Sequence, residues 1–149
     1  MSDVLRRRLA ALLLIAGIAV GALALADVGP FEDPVPEEEH VAAAVERFFG
    51  AAAAGDVETF CRMLTTEARK TLRVNTAQQL QTDDPPNCEE LLTVLKPVFA
   101  ESTIDVRSVS ISGTKARVEA RYKLKRGPAQ PRTVLLSRQQ GAWRISDPG

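Results

Sequence analysis

The chain has 149 residues, of which 45% are hydrophobic, and it carries 19 acidic and 19 basic side chains. A chain of this length forms one domain and buries about two-thirds of the surface that its unfolded form exposes, so it does not require additional cross-links. The zero net charge by itself favours neither nucleic acid nor a membrane surface as a partner.

The charges are distributed unevenly along the chain. From Asp27 to Phe99 there are 14 acidic and 6 basic side chains, a net charge of −8. From Ala100 to Gly149 there are 4 acidic and 10 basic side chains, a net charge of +6. The basic half could present a face to an anionic polymer or to lipid headgroups, but a solvated outer sheet face accounts for the same pattern.

Residues 1–26 have the three parts of an export signal. Three arginines at residues 6–8 precede an uncharged run, residues 9–25, and the small residues Ala24 and Ala26 fit the cleavage rule. The run has 17 residues, which reaches the lower edge of a membrane span, so an uncleaved anchor is the alternative. Either alternative predicts an extracytoplasmic protein, secreted or anchored to the cytoplasmic membrane by residues 9–25.

Residues 27–36 contain three prolines and predict an extended linker, so the folded domain is predicted over residues 37–149. Apolar residues at helical spacing predict a first helix that opens at Glu37 and ends at Gly55. Asp56 is predicted to cap a second helix over residues 57–64.

A third helix is predicted to begin at Thr65 or Thr66, with Ala68 and Leu72 facing inward and Arg69 facing outward. Residues 75–86 are polar and predict a loop or lid.

The fourth helix is predicted from the capping-box spacing of Asn87 and Glu90, and Pro97 is expected to end or kink it.

Four runs of strand-forming residues between Ile104 and Ile145 predict an antiparallel meander. The apolar phase slips near Arg107 and Ser108, where a β-bulge is predicted to curve the sheet. Residues 116–124 alternate between an apolar and a basic face. Residues 133–136 are apolar on both phases, which suits a strand covered on both sides or a central strand.

The only cysteines, Cys61 and Cys88, predict a structural disulfide in an exported chain, and a redox or metal pair is the alternative. The pair lacks Cys-x-x-Cys spacing, and His40 is the only histidine. No metal site and no cofactor are therefore predicted.

Taken in order, these elements resemble the NTF2-like superfamily, the α+β cone fold that includes SnoaL-like cyclases and ketosteroid isomerase. The resemblance covers residues 37–145 and rests on five features: the first helix with Phe48-Phe49, the Gly55-Asp56-Val57 junction, Cys61-Arg62-Met63-Leu64-Thr65, Cys88-Glu89-Glu90-Leu91, and the closing Gly141-x-Trp143-Arg144-Ile145. It implies three to four helices packed on a curved four-stranded sheet that wraps around a conical pocket.

Four aromatic residues could line such a pocket, although apolar residues at these spacings are more often plain core: Phe48, Phe49, Tyr122 and Trp143. No carboxylate shares the apolar strand phase of Tyr122, so no catalytic residue is predicted. His40 is expected to be exposed and without triad partners. The basic stripe lacks interleaved aromatic residues that would stack bases, so no nucleic-acid partner is predicted.

These observations predict an exported or membrane-tethered, non-enzymatic NTF2-like domain that binds a small apolar ligand or a protein of the cell envelope. One alternative is a SnoaL-like isomerase or cyclase that uses Tyr122. Another is a structural domain that self-associates or docks through its acidic and basic halves. If the N-terminal segment stays uncleaved, the membrane is a further partner.

Overall fold

Four helices precede four strands in the part of the chain that the structure describes. The computed structural model describes residues 34–149, so the predicted signal or anchor segment and most of the predicted linker lie outside the described residues. The elements are α1 (Glu37–Ala54), α2 (Val57–Met63), α3 (Thr66–Leu80), α4 (Cys88–Ala100), β1 (Ser102–Ser112), β2 (Lys115–Leu124), β3 (Gln130–Gln139) and β4 (Ala142–Asp147). Within residues 34–149, no helix is long and apolar enough to cross a membrane.

The strands form one antiparallel sheet in which each strand pairs with the next, in the order β1-β2-β3-β4. The predicted α+β class and the predicted meander are therefore confirmed. The β1–β2 register shifts between Val106 and Ser108, where the slip in apolar phase predicted a bulge. A bulge bends its strand and increases its twist, which helps the sheet to curve around the helices.

The inward face of the sheet follows the alternation of β2, whose buried side chains are Ala116, Val118, Ala120 and Tyr122. β3 is a central strand, as one of the two interpretations of residues 133–136 required. The other interpretation, coverage on both faces, is wrong. Val134 and Leu136 are buried, whereas Leu135 between them is 36% exposed, because the helices cover only one side of the sheet.

α3 runs further than predicted. It continues to Leu80, so the loop that was predicted to begin at residue 75 begins at Gln81. Thr76 is buried and continues, at four-residue spacing, the inward stripe of Ala68 and Leu72, which gives the longer helix a packed face.

α4 also runs past the predicted boundary. Pro97 lies inside the helix, which ends at Ala100, so the prediction that this proline ends the helix is wrong. The helix is held instead by its buried face, in which Leu91 and Leu92 are both at most 1% exposed.

Both predicted N-caps are present. The Asp56 side chain accepts a hydrogen bond from the backbone N–H of Thr59 at 3.1 Å and opens α2. Asn87 and Glu90 exchange two hydrogen bonds of 2.9 Å each and form the capping box of α4. Gly55 ends α1 with φ of +77°, a left-handed conformation that glycine adopts without steric cost.

The cap of α2 should make stability depend on pH. The backbone N–H of Thr59 donates to the Asp56 carboxylate and lowers its pKa below the ordinary value of 3.8, with a smaller contribution from the Thr59 side chain. A lowered pKa in the folded state gives stability that is fully present above the pKa of the unfolded chain and is lost as the pH falls through the folded value.

We expect the urea midpoint of the wild-type protein to fall more steeply below about pH 4 than that of Asp56→Asn, in which the cap keeps an acceptor but does not titrate. Above pH 5 the two midpoints should change in parallel. Identical profiles down to pH 2.5 would show that this cap does not contribute to acid sensitivity.

Candidate functional site

Three of the four predicted pocket residues lie in the hydrophobic core. The Phe48 ring stacks on Phe60 with centroids 5.0 Å apart, and Phe49 lies 6.1 Å from Tyr122. Phe99 contacts both Phe48 and Phe49 from α4, at 6.4 and 5.5 Å. These five rings, which we call the aromatic cluster, occupy the space between α1, α2, α4 and β2. They have the surroundings of plain core residues, which was the alternative interpretation.

Tyr122 lies at the edge of the aromatic cluster and is 8% exposed. The guanidinium of Arg132 lies 5.2 Å from its ring centroid, and Arg132 also donates a hydrogen bond to the carbonyl oxygen of Gly149. Among the described residues, the Tyr122 hydroxyl makes no hydrogen bond to a carboxylate. The same part of the chain contains no group of three His, Cys, Asp or Glu residues placed to hold a metal ion.

The fourth candidate, Trp143, lies elsewhere, in a surface groove of about 440 Å³ between α1, α2 and the β3–β4 hairpin. Four arginines line this groove, which we call the arginine groove: Arg47 from α1, Arg62 from α2, Arg138 from β3 and Arg144 from β4. The other polar residues of its wall are Glu37, His40 and Thr59.

Local structure places each of these side chains. Glu37, His40 and Arg47 recur along α1 at spacings that put them on one face, beside the buried stripe that contacts the sheet. Arg138 and Trp143 are directly paired across the β3–β4 hairpin, so their side chains lie on the same side of the sheet.

One carboxylate connects the hairpin to α1. Trp143 Nε1 donates a hydrogen bond of 2.6 Å to Oε1 of Glu37, and Nη1 of Arg138 lies 3.3 Å from the same oxygen. The Arg138 guanidinium also lies 5.9 Å from the centroid of the Trp143 ring, within the range of a cation–π contact.

The remaining arginines are less engaged. Arg62 pairs with Glu58 at 3.2 Å, and both side chains are largely exposed. Arg144 donates to the backbone carbonyl of Arg62, which leaves its charge without a carboxylate. Arg47 has no hydrogen bond or ion pair with any described residue. The groove therefore carries four guanidinium groups and one carboxylate, and guanidinium groups recognise carboxylates and phosphates.

No family model matches the sequence, and no curated protein matches it. Solved structures do match its fold. A protein named Rd1NTF2_05 is 11% identical and superposes with a TM-score of 0.50 over 70% of this chain and 90% of its own. The chain has the NTF2-like fold.

Two further structures are similar, and their roles differ. An NTF2-like protein of unknown function from Shewanella baltica is 14% identical, with a TM-score of 0.49 over 76% of this chain and 91% of its own. An LEH-like epoxide hydrolase from M. tuberculosis is 16% identical, with a TM-score of 0.43 over 75% of this chain and 81% of its own. At these identities the likeness concerns the fold alone.

In this NTF2-like domain, Cys61 and Cys88 form the predicted disulfide, which joins α2 to the first residue of α4. Their Cα atoms are 6.2 Å apart, within the ordinary range for a disulfide. The bond is compatible with an extracytoplasmic location. Arg69, which was predicted to face outward, is instead partly buried and donates to the carbonyl oxygen of Cys61 at 2.5 Å.

The arginine groove was not predicted, although Trp143 was singled out. Its arginines come from four different elements of the NTF2-like domain, and sequence spacing does not relate one element to another. The pairing of Arg138 with Trp143 was available as a signal, because a short hairpin places them opposite each other. His40 is exposed, as predicted, and lines the groove.

Proposed function

We propose that this protein is an exported or membrane-tethered, non-enzymatic NTF2-like domain that binds an acidic segment of an envelope protein in the arginine groove. The observation that carries the proposal is the excess of four guanidinium groups over one carboxylate in a groove of about 440 Å³. Desolvated guanidinium groups form strong charge-assisted hydrogen bonds with carboxylates, so an acidic segment satisfies them.

The extracytoplasmic part of the proposal is supported by the disulfide and by the predicted export segment. Disulfides persist in oxidising compartments and are rare in the cytosol. The predicted segment of residues 9–25 would either direct secretion or hold the domain at the membrane surface.

A protein partner has more support than the other predicted ligand, a small apolar molecule. An apolar ligand would need space inside the cone, and the aromatic cluster occupies the space between α1 and the sheet. The alternative of an isomerase or cyclase requires a group beside Tyr122 that transfers a proton. The polar group that packs on the Tyr122 ring is Arg132, whose guanidinium does not act as a base.

The proposal can be tested with a fluorescently labelled, terminally blocked hexaglutamate peptide and the purified full-length chain, by fluorescence anisotropy. We expect the wild-type protein to bind and Arg47→Glu to bind about tenfold more weakly, since a lost charge-assisted contact is worth roughly 1.5 kcal/mol or more. Arg47 is exposed and has no partner among the described residues, so its replacement should not disturb the fold.

Arg121→Glu is the matched control. Arg121 is exposed on the outer face of β2, away from the groove, and its replacement changes the net charge by the same amount. We expect it to change the affinity less than about twofold, since exposed charges beyond a Debye length are largely screened. Equal weakening by both variants, or no binding by the wild-type protein, would contradict the proposal.

A further inference from the structure

The carboxylate of Glu37 lies inside the arginine groove, against the side chains of Arg138 and Trp143. Its Oε1 atom accepts the 2.6 Å hydrogen bond from Trp143 Nε1 and lies 3.3 Å from Arg138 Nη1. A positive guanidinium and an indole N–H thus converge on one anionic oxygen. This arrangement is a carboxylate-binding position, and a residue of the chain itself occupies it.

We infer that Arg138 and Trp143 form a carboxylate subsite of the groove, that Glu37 fills this subsite in the unliganded protein, and that a carboxylate of the acidic partner replaces Glu37 there. The inference rests on the proposed function and specifies where the partner's acidic side chain binds. It also assigns Glu37 the role of an internal competitor.

Glu37 does not saturate the subsite. Both donors meet its Oε1 atom, and within the described residues its Oε2 atom accepts no hydrogen bond. Arg138 makes one contact with this carboxylate, although a guanidinium has five N–H donors and can bind a carboxylate through two parallel hydrogen bonds. A carboxylate that approaches Arg138 from the open side of the groove can make the second contact that Glu37 leaves unmade.

The position of Glu37 allows it to leave. It is the first residue of α1, its side chain is 39% exposed, and the preceding Pro36 makes no side-chain cap that would order this end of the helix. Exposed ion pairs of this kind contribute little to stability. Trp143, in contrast, is 8% exposed, and a buried indole N–H requires an acceptor. A ligand carboxylate supplies that acceptor when Glu37 moves into solvent.

The rest of the groove favours an acidic peptide over a single small anion. Arg47, Arg62 and Arg144 line the same groove as the subsite and come from three different elements. One carboxylate fills the Arg138–Trp143 position and leaves these three charges unpaired. An extended segment with several acidic side chains can meet them in succession, because adjacent residues of an extended chain advance by about 3.3 Å.

Removal of the internal competitor should strengthen binding. With the blocked hexaglutamate peptide and the full-length chain, we expect Glu37→Ala to bind about tenfold more tightly than the wild-type protein, since one charged hydrogen bond to the competitor is no longer broken. Glu38→Ala is the matched control, because Glu38 is exposed, adjacent and not part of the groove wall, and the charge change is identical. We expect that control to change the affinity less than about twofold. Glu37→Gln, which keeps the side-chain shape, should also bind more tightly than the wild-type protein.

Trp143 is the only tryptophan in the chain, so its fluorescence reports on the subsite directly. Glu37→Ala should shift its emission without peptide, and addition of the peptide should reverse the shift as a new carboxylate reaches Nε1. Glu38→Ala should show neither change. Displacement of the peptide by an equimolar concentration of inorganic phosphate would overturn the assignment of the subsite to carboxylates.

The failure of this inference can be distinguished from the failure of the proposed function. If the wild-type protein binds the peptide and Arg47→Glu weakens binding, but Glu37→Ala behaves like Glu38→Ala, the inference is wrong and the proposed function stands. If neither the wild-type protein nor Glu37→Ala binds the peptide, both are wrong.

Discussion

Leu136→Ala is expected to lower the free energy of unfolding by about 2–5 kcal/mol, the usual cost of removing three carbons from a packed core. Leu136 is 1% exposed on the inner face of the central strand β3. It lies between Ala116 of β2 and Ile145 of β4 in the sheet register, so side chains on both neighbouring strands restrict how far the cavity can collapse. Urea denaturation followed by circular dichroism measures the loss.

The adjacent residue provides a control with the same chemistry. Leu135 is on the outer face of the same strand and is 36% exposed. We expect Leu135→Ala to cost less than about 1 kcal/mol, because much of its side chain remains in water. Equal losses, or a larger loss for Leu135→Ala, would show that β3 presents the opposite face to the helices, since a slip of one residue exchanges the two faces of a strand.

The difference between these two leucines also shows which features of the fold the sequence could predict. The caps at Asp56 and Asn87 were predicted because their hydrogen bonds span only three residues. The bulge after Val106 was predicted because a phase slip is visible within one strand. The exposure of Leu135 was not, because both phases of its run are apolar and only the arrangement of the layers decides which phase is buried.

The candidate site was harder to predict than the fold for the same reason. The hydrogen bond between Trp143 and Glu37 joins residues 106 positions apart, and no local pattern encodes such a contact. Sequence reasoning grouped Trp143 with Phe48 as inward-facing aromatic residues, which both are. It could not separate a residue in the middle of the aromatic cluster from one whose indole N–H reaches the groove at the end of the sheet.

The second large effect is expected from the disulfide. Replacement of both Cys61 and Cys88 by serine should lower the free energy of unfolding by about 3.5 kcal/mol, since the bond closes a loop with a sequence separation of 27 and restricts the unfolded chain. For a domain of this size, the melting temperature should fall by roughly 10–15 °C. The double variant is preferable to either single one because it leaves no unpaired thiol. Differential scanning calorimetry measures the change.

Chemical reduction provides the control. A phosphine reductant should lower the melting temperature of the wild-type protein by a similar amount and leave that of the double variant unchanged. An unchanged melting temperature in the double variant would mean that Leu91 and Leu92, both buried, suffice to hold α4 against the core. The disulfide would then have no stabilising role to explain its presence, and a redox role for the pair would become the stronger interpretation of the two cysteines.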